Sequence, residues 1–318
     1  MLQYKNTIEK KYGIQINNMQ QMQGGWSALA YMIKTAKEDF FLKVYEKNRH
    51  TAKEWINKIN EYMPVVIKLR DNDRLRRKMT VPVLTVDGQY KVENDDYIFI
   101  LFPFVAGNTP GSNKLTEKEQ DCLAKIVAEL HAYKESDFPL FKSKEDFNIN
   151  ICEKLSQIIT NTCLQDMELH HVLSQYNSCL LKSIEEMKKL AQKLSGEQLA
   201  FVLCHTDLHG WNLLQAEQLV LLDWEGLKFA PAEADLFSFS EGFFFDYAWK
   251  IFSDSYQKAR PNYAGNQNAL TFYRLRRRLE DILDFARGIL FDDLSEDEKN
   301  VSLDYLKKEC AAIQQFYK

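Results

Sequence analysis

One stretch of the chain carries most of the information about its fold: Val202-Leu203-Cys204-His205-Thr206-Asp207-Leu208-His209-Gly210-Trp211-Asn212-Leu213-Leu214. An apolar run ends at Cys204, and a cluster of imidazole, carboxylate and amide side chains follows at once. A second apolar run, Leu219–Leu222, leads in the same way into Asp223-Trp224-Glu225-Gly226. Strand ends that deliver such polar clusters are typical of catalytic loops on a rigid scaffold. The sequence therefore predicts two short strands, each ending at a functional site.

The spacing of these polar residues indicates phosphoryl transfer. Asp207 and Asn212 stand five residues apart, which is the interval of the H-R-D-x-x-x-x-N catalytic loop, and Asp223 follows eleven residues later. Phosphoryl transfer needs a carboxylate that orients the attacking hydroxyl, oxygen ligands for magnesium and a lysine on the nucleotide phosphates. Lys43 lies in the apolar run 39–45 and supplies the lysine.

Residues 1–107 have the pattern of a small α+β unit with an antiparallel sheet. The apolar periodicity predicts two helices and five strands there. The expected helices are 5–12 and 51–63, and the expected strands are 14–22, 28–33, 39–45, 81–86 and 97–102.

Residues 108–318 are predicted to form a second, mainly helical lobe. Pro, Gly and Asn are concentrated in residues 103–111, so we expect a hinge at about 101–107 and a lobe boundary near 107. Apolar residues recur at helical intervals in three segments beyond it, and the last hundred residues are mostly helical. The three segments are 116–133, 152–174 and 176–194.

The quoted motifs resemble the aminoglycoside phosphotransferase family, and within it the spectinomycin phosphotransferases. The likeness is strongest over 200–240, where Ala230-Pro231-Ala232-Glu233-Ala234-Asp235-Leu236 extends it. The resemblance implies an α+β, protein-kinase-like bilobal fold with a five-stranded N-terminal lobe. It also implies a kinase that uses Mg²⁺ and ATP or GTP to phosphorylate a hydroxyl of an aminoglycoside or aminocyclitol such as spectinomycin. Antibiotic resistance would be its biological role.

The same resemblance implies a role for each candidate residue. Asp207 would be the catalytic base in the loop 205–212, and His205 would support that loop. Asn212 and Asp223 would be the magnesium ligands, with 223–226 as the metal-binding segment. Asp235 would accept hydrogen bonds from the loop backbone. The remaining candidates contact the nucleotide: Lys43, the phosphate loop Gly24, Gly25 and Ser27, and the hinge backbone at Pro103, Phe104 and Val105. For the acidic partner of Lys43 we prefer Glu54, eleven residues on in a predicted helix, over Glu46 or Glu61.

Composition excludes several other classes of protein. The longest apolar stretch, 97–106, is about half of the roughly 20 residues that a membrane-spanning helix needs, and the N-terminus has no apolar signal core. The six cysteines show no CxxC pairing. We therefore expect a cytoplasmic protein without membrane contact, as a monomer or a homodimer.

Charge is divided unevenly along the chain, at +5 over residues 1–107 and −9 over residues 108–318. This division favours a polyphosphate in the first lobe and a cationic small-molecule substrate in the second, although solvated surface charge explains it equally well. The basic run 274–278 precedes Glu280, Asp281 and Asp284, so we expect an exposed, ion-paired helix face rather than a nucleic-acid site. Those acids could instead line a pocket for an ammonium group.

Several alternatives stay open on sequence alone. A kinase of choline, homoserine or another small alcohol would share every motif, as would a macrolide kinase. A catalytically inactive kinase-like binding protein would be expected to lack one of Asp207, Asn212, Asp223 or Lys43, and all four are present. His205, Asp207 and His209 could bind zinc in a hydrolase. We expect His131, at the end of a helix, to be a packed or capping residue without chemistry.

Overall fold

The structure is a computed structural model, and it describes residues 2–22, 28–48, 53–160 and 166–317. A five-stranded antiparallel sheet occupies the N-terminal part. Its strands are β1 (Asn18–Met22), β2 (Leu29–Lys34), β3 (Asp39–Glu46), β4 (Val92–Glu93) and β5 (Tyr97–Pro103). Their order in the sheet is β1-β2-β3-β5-β4.

Different helices pack against the two faces of this sheet. Helix α1 (Leu2–Tyr12) covers one face, where Leu42 and Val44 of β3 join its core. Helix α2 (Lys53–Leu69) lies on the other face, where Tyr45 belongs to the main core of the protein. Because successive side chains of a strand alternate between faces, Lys43 shares the face of Tyr45.

The predicted strand at Val81–Val86 is wrong, since the segment is extended but forms no strand and the fourth strand is β4 instead. Pro82 has no N–H to donate to a ladder. Val83 N does donate to the Leu101 carbonyl at 2.7 Å, but Val86 N donates to Lys11 O at 2.9 Å, at the end of α1. The segment is therefore divided between two partners.

The C-terminal part is mainly helical, as the sequence predicts. The expected helix at 116–133 is α3, for which Thr116 and Glu119 form a capping box. The expected helices at 152–174 and 176–194 have different bounds, because Asp166 caps a single long helix that continues through residue 175. The helices are α3 (Glu117–Leu130), α4 (Asn150–Thr160), α5 (Met167–Ser195), α6 (Glu233–Leu236), α7 (Trp249–Ala259), α8 (Gln267–Phe291) and α9 (Glu296–Gln315).

Two short antiparallel pairs interrupt the helices and carry the polar clusters. Strand β6 (Phe201–Cys204) pairs with β9 (Lys228–Pro231), and β7 (Leu213–Gln215) pairs with β8 (Leu219–Leu221). The two apolar runs of the sequence are thus strands β6 and β8. Within the described ranges, none of the helices combines the length and apolarity required to cross a membrane.

The segment that follows β5 is tied to β7. Asn108 N and Gln215 N each donate to the other residue's carbonyl, at 3.2 and 2.9 Å. Gly107 permits this approach, because a Cβ there would lie 2.5 Å from the Gln215 carbonyl oxygen. The lobe boundary near 107 itself stays a prediction.

Gly210 makes the closest backbone approach in the catalytic loop, and its replacement should destabilise the protein. A Cβ at Gly210 would lie 2.0 Å from the Gly111 carbonyl oxygen. We expect Gly210→Ala to lower the free energy of unfolding by about 1–3 kcal/mol, because one of the two backbones must move. Urea unfolding measures this change.

Gly196→Ala is the matched control, since its Cβ would lie 3.5 Å from the Lys193 carbonyl oxygen, an ordinary contact. That variant should stay within about 0.5 kcal/mol of the parent protein. Equal stability of the two variants would show that the Gly210–Gly111 approach is not constrained.

Candidate active site

The predicted catalytic loop 205–212 connects β6 to β7, and Asp235 binds its backbone. This carboxylate is fully buried and accepts hydrogen bonds from His205 N at 3.0 Å and Thr206 N at 2.5 Å. Thr206 has a φ of 68°, which a β-branched residue rarely adopts, so the two bonds stabilise a strained turn. The expectation that Asp235 accepts bonds from the loop backbone is confirmed.

His205 lies beneath the loop and links it to the second polar segment. Its ring is fully buried, with Nε2 2.9 Å from the Leu222 carbonyl oxygen. Nε2 therefore donates, which leaves Nδ1 to accept the backbone N–H of Asp207 at 3.4 Å. With both nitrogens engaged, His205 supports the loop.

In the part of the chain that the structure describes, three polar side chains contact Asp207. Asn212 Nδ2 donates to Asp207 Oδ2 at 2.8 Å, and His209 Nε2 lies 3.4 Å from the same oxygen. Arg277 Nη1 donates to Oδ1 at 2.5 Å. Burial alone would raise the pKa of Asp207, but Arg277 and His209 hold it well below its usual range. The side chain is therefore a carboxylate at neutral pH, as a hydroxyl-orienting base must be.

Pairing of β7 with β8 brings Asn212 next to Asp223. Asn212 precedes β7 and Asp223 follows β8, so both lie at the same end of this antiparallel pair. Leu222 N donates to the Asn212 carbonyl at 2.8 Å and fixes the two segments together. Asp223 has a φ of 60°, a left-handed conformation that aspartate adopts more readily than most residues.

Lys43 reaches this pair of segments from β3. Its Nζ lies 2.8 Å from Asp223 Oδ1 and 3.1 Å from Glu225 Oε1, and Tyr45 OH also donates to Glu225 Oε1. Burial would lower the pKa of Lys43, but the two carboxylates more than offset it and raise the pKa. Lys43 is therefore a fixed positive charge at the edge of the site.

The donor set at Asn212 and Asp223 fits a magnesium ion. The Asn212 amide nitrogen is committed to Asp207, through Oδ2 at 2.8 Å and the backbone carbonyl at 2.9 Å, so its amide oxygen is the atom left for a cation. Of the two carboxylate oxygens of Asp223, Lys43 contacts Oδ1, and the side chain of Asp223 is 34% exposed. Amide and carboxylate oxygens are the ligands that Mg²⁺ prefers.

Several nucleotide-contact predictions fall outside the described residues. Gly24, Gly25 and Ser27 lie in the undescribed segment 23–27, and the side chain of Glu54 is likewise not described. The acids that the described part places on Lys43 are Asp223 and Glu225. Glu54 as a partner of Lys43 stays a prediction.

One backbone donor of the predicted hinge is already engaged, and the hinge itself stays a prediction. Pro103 ends β5, and Phe104 N donates to the Asp39 carbonyl at 3.0 Å. Val105 is half-buried. The Phe104 amide is thus committed to the sheet in this structure.

The interpretation of the basic run as an exposed helix face is wrong in one respect. The side chains of Arg276, Arg277 and Arg278 are ion-paired as expected, but they are only 15%, 23% and 19% exposed. Arg277 turns toward Asp207, a contact that sequence reasoning missed. These arginines follow the buried residues Phe272, Tyr273 and Leu275 at helical intervals, and that spacing could have indicated that they face the interior.

The acids that could have lined an ammonium pocket are partly used by these arginines. Glu280 accepts from Arg276 Nε at 2.8 Å, and Asp281 accepts from Arg277 Nε at 3.0 Å. Burial raises the pKa of Asp281 to about 6, against the opposing effect of Arg277. Neither acid is a free anion in a pocket.

A buried group of potential metal ligands, His131, Cys204 and Asp235, is structural. Both ring nitrogens of His131 are bonded, Nδ1 to Tyr256 OH at 2.7 Å and Nε2 to Asp235 Oδ2 at 2.9 Å. Asp235 is already bound to the catalytic loop. The prediction that His131 is a packed or capping residue is confirmed, since it caps α3 and is fully buried.

Solved structures of small-molecule kinases share this fold. Spectinomycin phosphotransferase, APH(9)-Ia, in complex with ADP and spectinomycin is 21% identical, with a TM-score of 0.75 over 99% of this chain and 98% of that one. The microcompartment-associated aminopropanol kinase is 15% identical, with a TM-score of 0.68 over 100% and 98%. Macrolide 2′-phosphotransferase MphH from Brachybacterium faecium is 10% identical, with a TM-score of 0.58 over 96% of each chain. The α+β, kinase-like fold is confirmed.

No curated protein sequence matches the chain. The family model APH, described as the phosphotransferase enzyme family, matches residues 18–281, which is most of the chain and includes both polar clusters. The chain therefore belongs to the phosphotransferase enzyme family and is a small-molecule phosphotransferase.

Proposed function

We propose that this phosphotransferase moves the γ-phosphate of ATP or GTP onto a hydroxyl of an aminocyclitol or aminoglycoside such as spectinomycin. The observation that carries the proposal is the convergence of Lys43, Asp207, Asn212 and Asp223. The first comes from β3 and the others from the ends of β6, β7 and β8, and together they supply a cation, a base and two oxygen ligands.

In the proposed mechanism, Asp207 accepts a hydrogen bond from the acceptor hydroxyl, orients it for in-line attack and takes its proton. Lys43 binds the α/β-phosphates, so its ion pairs with Asp223 and Glu225 are shared with the nucleotide. Asn212 and Asp223 would hold magnesium, which neutralises phosphate charge when bound. Positioning and fixed charges account for catalysis, and no covalent enzyme intermediate is needed.

The nucleotide base is proposed to lie against the cleft face of β3 and β5. Phe41 is two residues from Lys43 on β3 and so shares its face. Phe41 pairs in register with Phe102 of β5, and both side chains are half-buried. Two aromatic rings next to the hinge suit a flat purine, and this surface does not favour adenine over guanine.

Support for the acceptor class comes from charge and aromatic surface near Asp207. Asp207 and Asp281 together carry two negative charges against the one positive charge of Arg277. Phe244 lies beside them and is 41% exposed, so an aromatic face is available to a cationic acceptor. The structural likeness to a spectinomycin phosphotransferase points the same way. Antibiotic resistance as the biological role is part of this proposal.

A metabolic kinase of a small amino alcohol is the second candidate. The likeness to an aminopropanol kinase over the whole chain favours it, and the same arrangement of charges would accept choline or homoserine. A macrolide kinase is a third candidate, on the likeness to a macrolide phosphotransferase.

The experiment is a coupled nucleotide-consumption assay with Mg-ATP and Mg-GTP, using Asp207→Ala as the blank. Acceptors are spectinomycin, several aminoglycosides, a macrolide, choline, homoserine and an aminopropanol. Turnover with an aminocyclitol or aminoglycoside supports the proposal. Turnover only with an amino alcohol supports the metabolic kinase instead. Absence of turnover with every acceptor favours an inactive kinase-like binding protein.

Loss of Asp223 should weaken binding of the magnesium–nucleotide complex. We expect Asp223→Ala to lower the affinity for Mg-ADP by roughly ten- to a hundredfold, because a proposed ligand and the partner of Lys43 are lost together. Isothermal titration with and without magnesium measures it. Magnesium should strengthen ADP binding to the parent protein and much less to the variant; an equal gain in both would remove Asp223 from the metal site.

A further inference from the structure

Arg277 is the side chain of α8 that reaches the catalytic loop. Its Nη1 lies 2.5 Å from Asp207 Oδ1, a charge-assisted hydrogen bond between residues 70 positions apart. The same guanidinium donates from Nε to Asp281 Oδ2 at 3.0 Å. Its carbon lies 5.4 Å from the centre of the Phe244 ring. Two carboxylates and the face of an aromatic ring thus hold the Arg277 guanidinium in one orientation.

The contacts that the described residues make with Asp207 leave a lone-pair position open on Oδ1. An ionised carboxylate has about four lone-pair positions, two on each oxygen. Asn212 donates to Oδ2, which His209 Nε2 also approaches at 3.4 Å, and Arg277 donates to Oδ1. The remaining position is on Oδ1, beside Arg277. An acceptor hydroxyl that hydrogen-bonds to Asp207 is therefore directed to the oxygen that Arg277 holds.

We propose that Arg277 is a positioning residue for the transfer reaction, an inference that rests on the proposed function of Asp207. Arg277 fixes the rotation of the carboxylate from one side while Asn212 fixes it from the other. This leaves a single direction from which a hydroxyl can bond to Oδ1. An N–H group of Arg277 then borders the acceptor oxygen and determines where it lies.

A purely structural salt bridge between α8 and the loop is the competing explanation, and Arg278 provides the matched control. Arg278 belongs to the same helix and is buried to a similar degree. It pairs with Glu309 at 2.5 Å and also bonds to the Gly242 carbonyl, and within the described residues neither group forms a hydrogen bond or ion pair with Asp207. Arg278→Gln therefore removes a comparable ion pair without touching the carboxylate.

The test compares Arg277→Gln, Arg277→Lys and Arg278→Gln with the parent protein. Measured quantities are kcat, acceptor KM, ADP affinity and thermal stability. For Arg277→Gln we expect kcat to fall by roughly ten- to a hundredfold, since small misplacement of a reacting group has effects of that size. ADP affinity should not change, because Arg277 does not touch the nucleotide residues. Arg277→Lys should recover part of kcat, and Arg278→Gln should keep all of it.

The proposal is overturned if Arg277→Gln keeps its kcat, or if its loss matches that of Arg278→Gln and follows stability alone. A loss confined to acceptor KM would mean that Arg277 contributes to acceptor binding without orienting the acceptor for transfer, and would equally overturn a positioning role. Crystal structures of Arg277→Gln and the parent protein supply a readout that needs no acceptor. We expect the Asp207 carboxylate to rotate or adopt two orientations in the variant; an unchanged carboxylate contradicts the inference even if the acceptor proposed above is wrong.

Discussion

Asp207→Asn should abolish most phosphoryl transfer while leaving the nucleotide site intact. We expect kcat to fall by about 10²–10⁴-fold, the usual contribution of a positioned general base. The asparagine keeps the size of the side chain and one acceptor oxygen, so one of Arg277 and Asn212, which bind different oxygens of Asp207, keeps its acceptor. ADP affinity should stay within about twofold, because Lys43 and Asp223 are unchanged. Steady-state kinetics with the identified acceptor and titration with ADP measure the two quantities.

Asp254→Asn is the control for this substitution, because Asp254 is an exposed residue of α7. It should show the parent kcat. Full activity of Asp207→Asn would remove Asp207 as the base. A joint loss of kcat and ADP affinity would instead mean that Asp207 contributes to nucleotide binding.

Asp235→Ala should cause the largest loss of stability among the substitutions considered. Asp235 is fully buried and binds His205 N, Thr206 N and His131 Nε2. Its removal leaves these groups without their acceptor, and each buried donor left unpaired costs about 1–3 kcal/mol. Urea unfolding followed by circular dichroism measures the change in the free energy of unfolding.

Two further variants make this prediction specific. Asp235→Asn keeps one acceptor oxygen and should lose less stability than Asp235→Ala. Asp254→Ala removes an exposed carboxylate and should stay within about 0.5 kcal/mol of the parent protein. If Asp235→Ala is as stable as Asp254→Ala, other contacts hold the loop and the strained backbone conformation of Thr206 does not depend on Asp235.

The sequence predicts those parts of the site that depend on local spacing. Asp207 and Asn212 are joined by a short loop, and their five-residue interval lets the amide of one reach the carboxylate of the other. Asp223 was predictable because the apolar run before it forms β8, which pairs with β7 directly after Asn212. Alternation along β3 was likewise sufficient to place Lys43 on a cleft-facing strand.

Contacts between distant segments could not be predicted in the same way. Arg277 lies 70 residues from Asp207, and nothing in the pattern of α8 shows which of three consecutive arginines meets the loop. Glu225 lies 182 residues from Lys43, and its bond with that lysine depends on how the sheet and the helical part meet. Such pairings depend on tertiary packing, which a single sequence does not encode at any fixed interval.

The wrong strand at Val81–Val86 has a related cause. Its composition suits a strand, but Pro82 removes one donor and Val86 is bonded to the end of α1. The merged helix α5 shows the opposite case, in which a boundary was expected near residue 175 although no glycine or proline interrupts the chain there. In the first segment neighbouring elements override the local propensity, whereas in α5 the local propensity is enough to continue the helix.

The ion pairs of Lys43 also have a consequence for how the protein folds while it is being synthesised. Lys43 and Asp223 are 180 residues apart, and at a synthesis rate of about 5–20 residues per second Asp223 follows Lys43 after roughly 9–36 s. An ammonium group is costly to bury without a counter-charge. The cleft face of the sheet is thus expected to stay hydrated on the ribosome until the second polar cluster has emerged. Lys43 precedes Asp207 and Asn212 in translation, and its acidic partners Asp223 and Glu225 follow both of them.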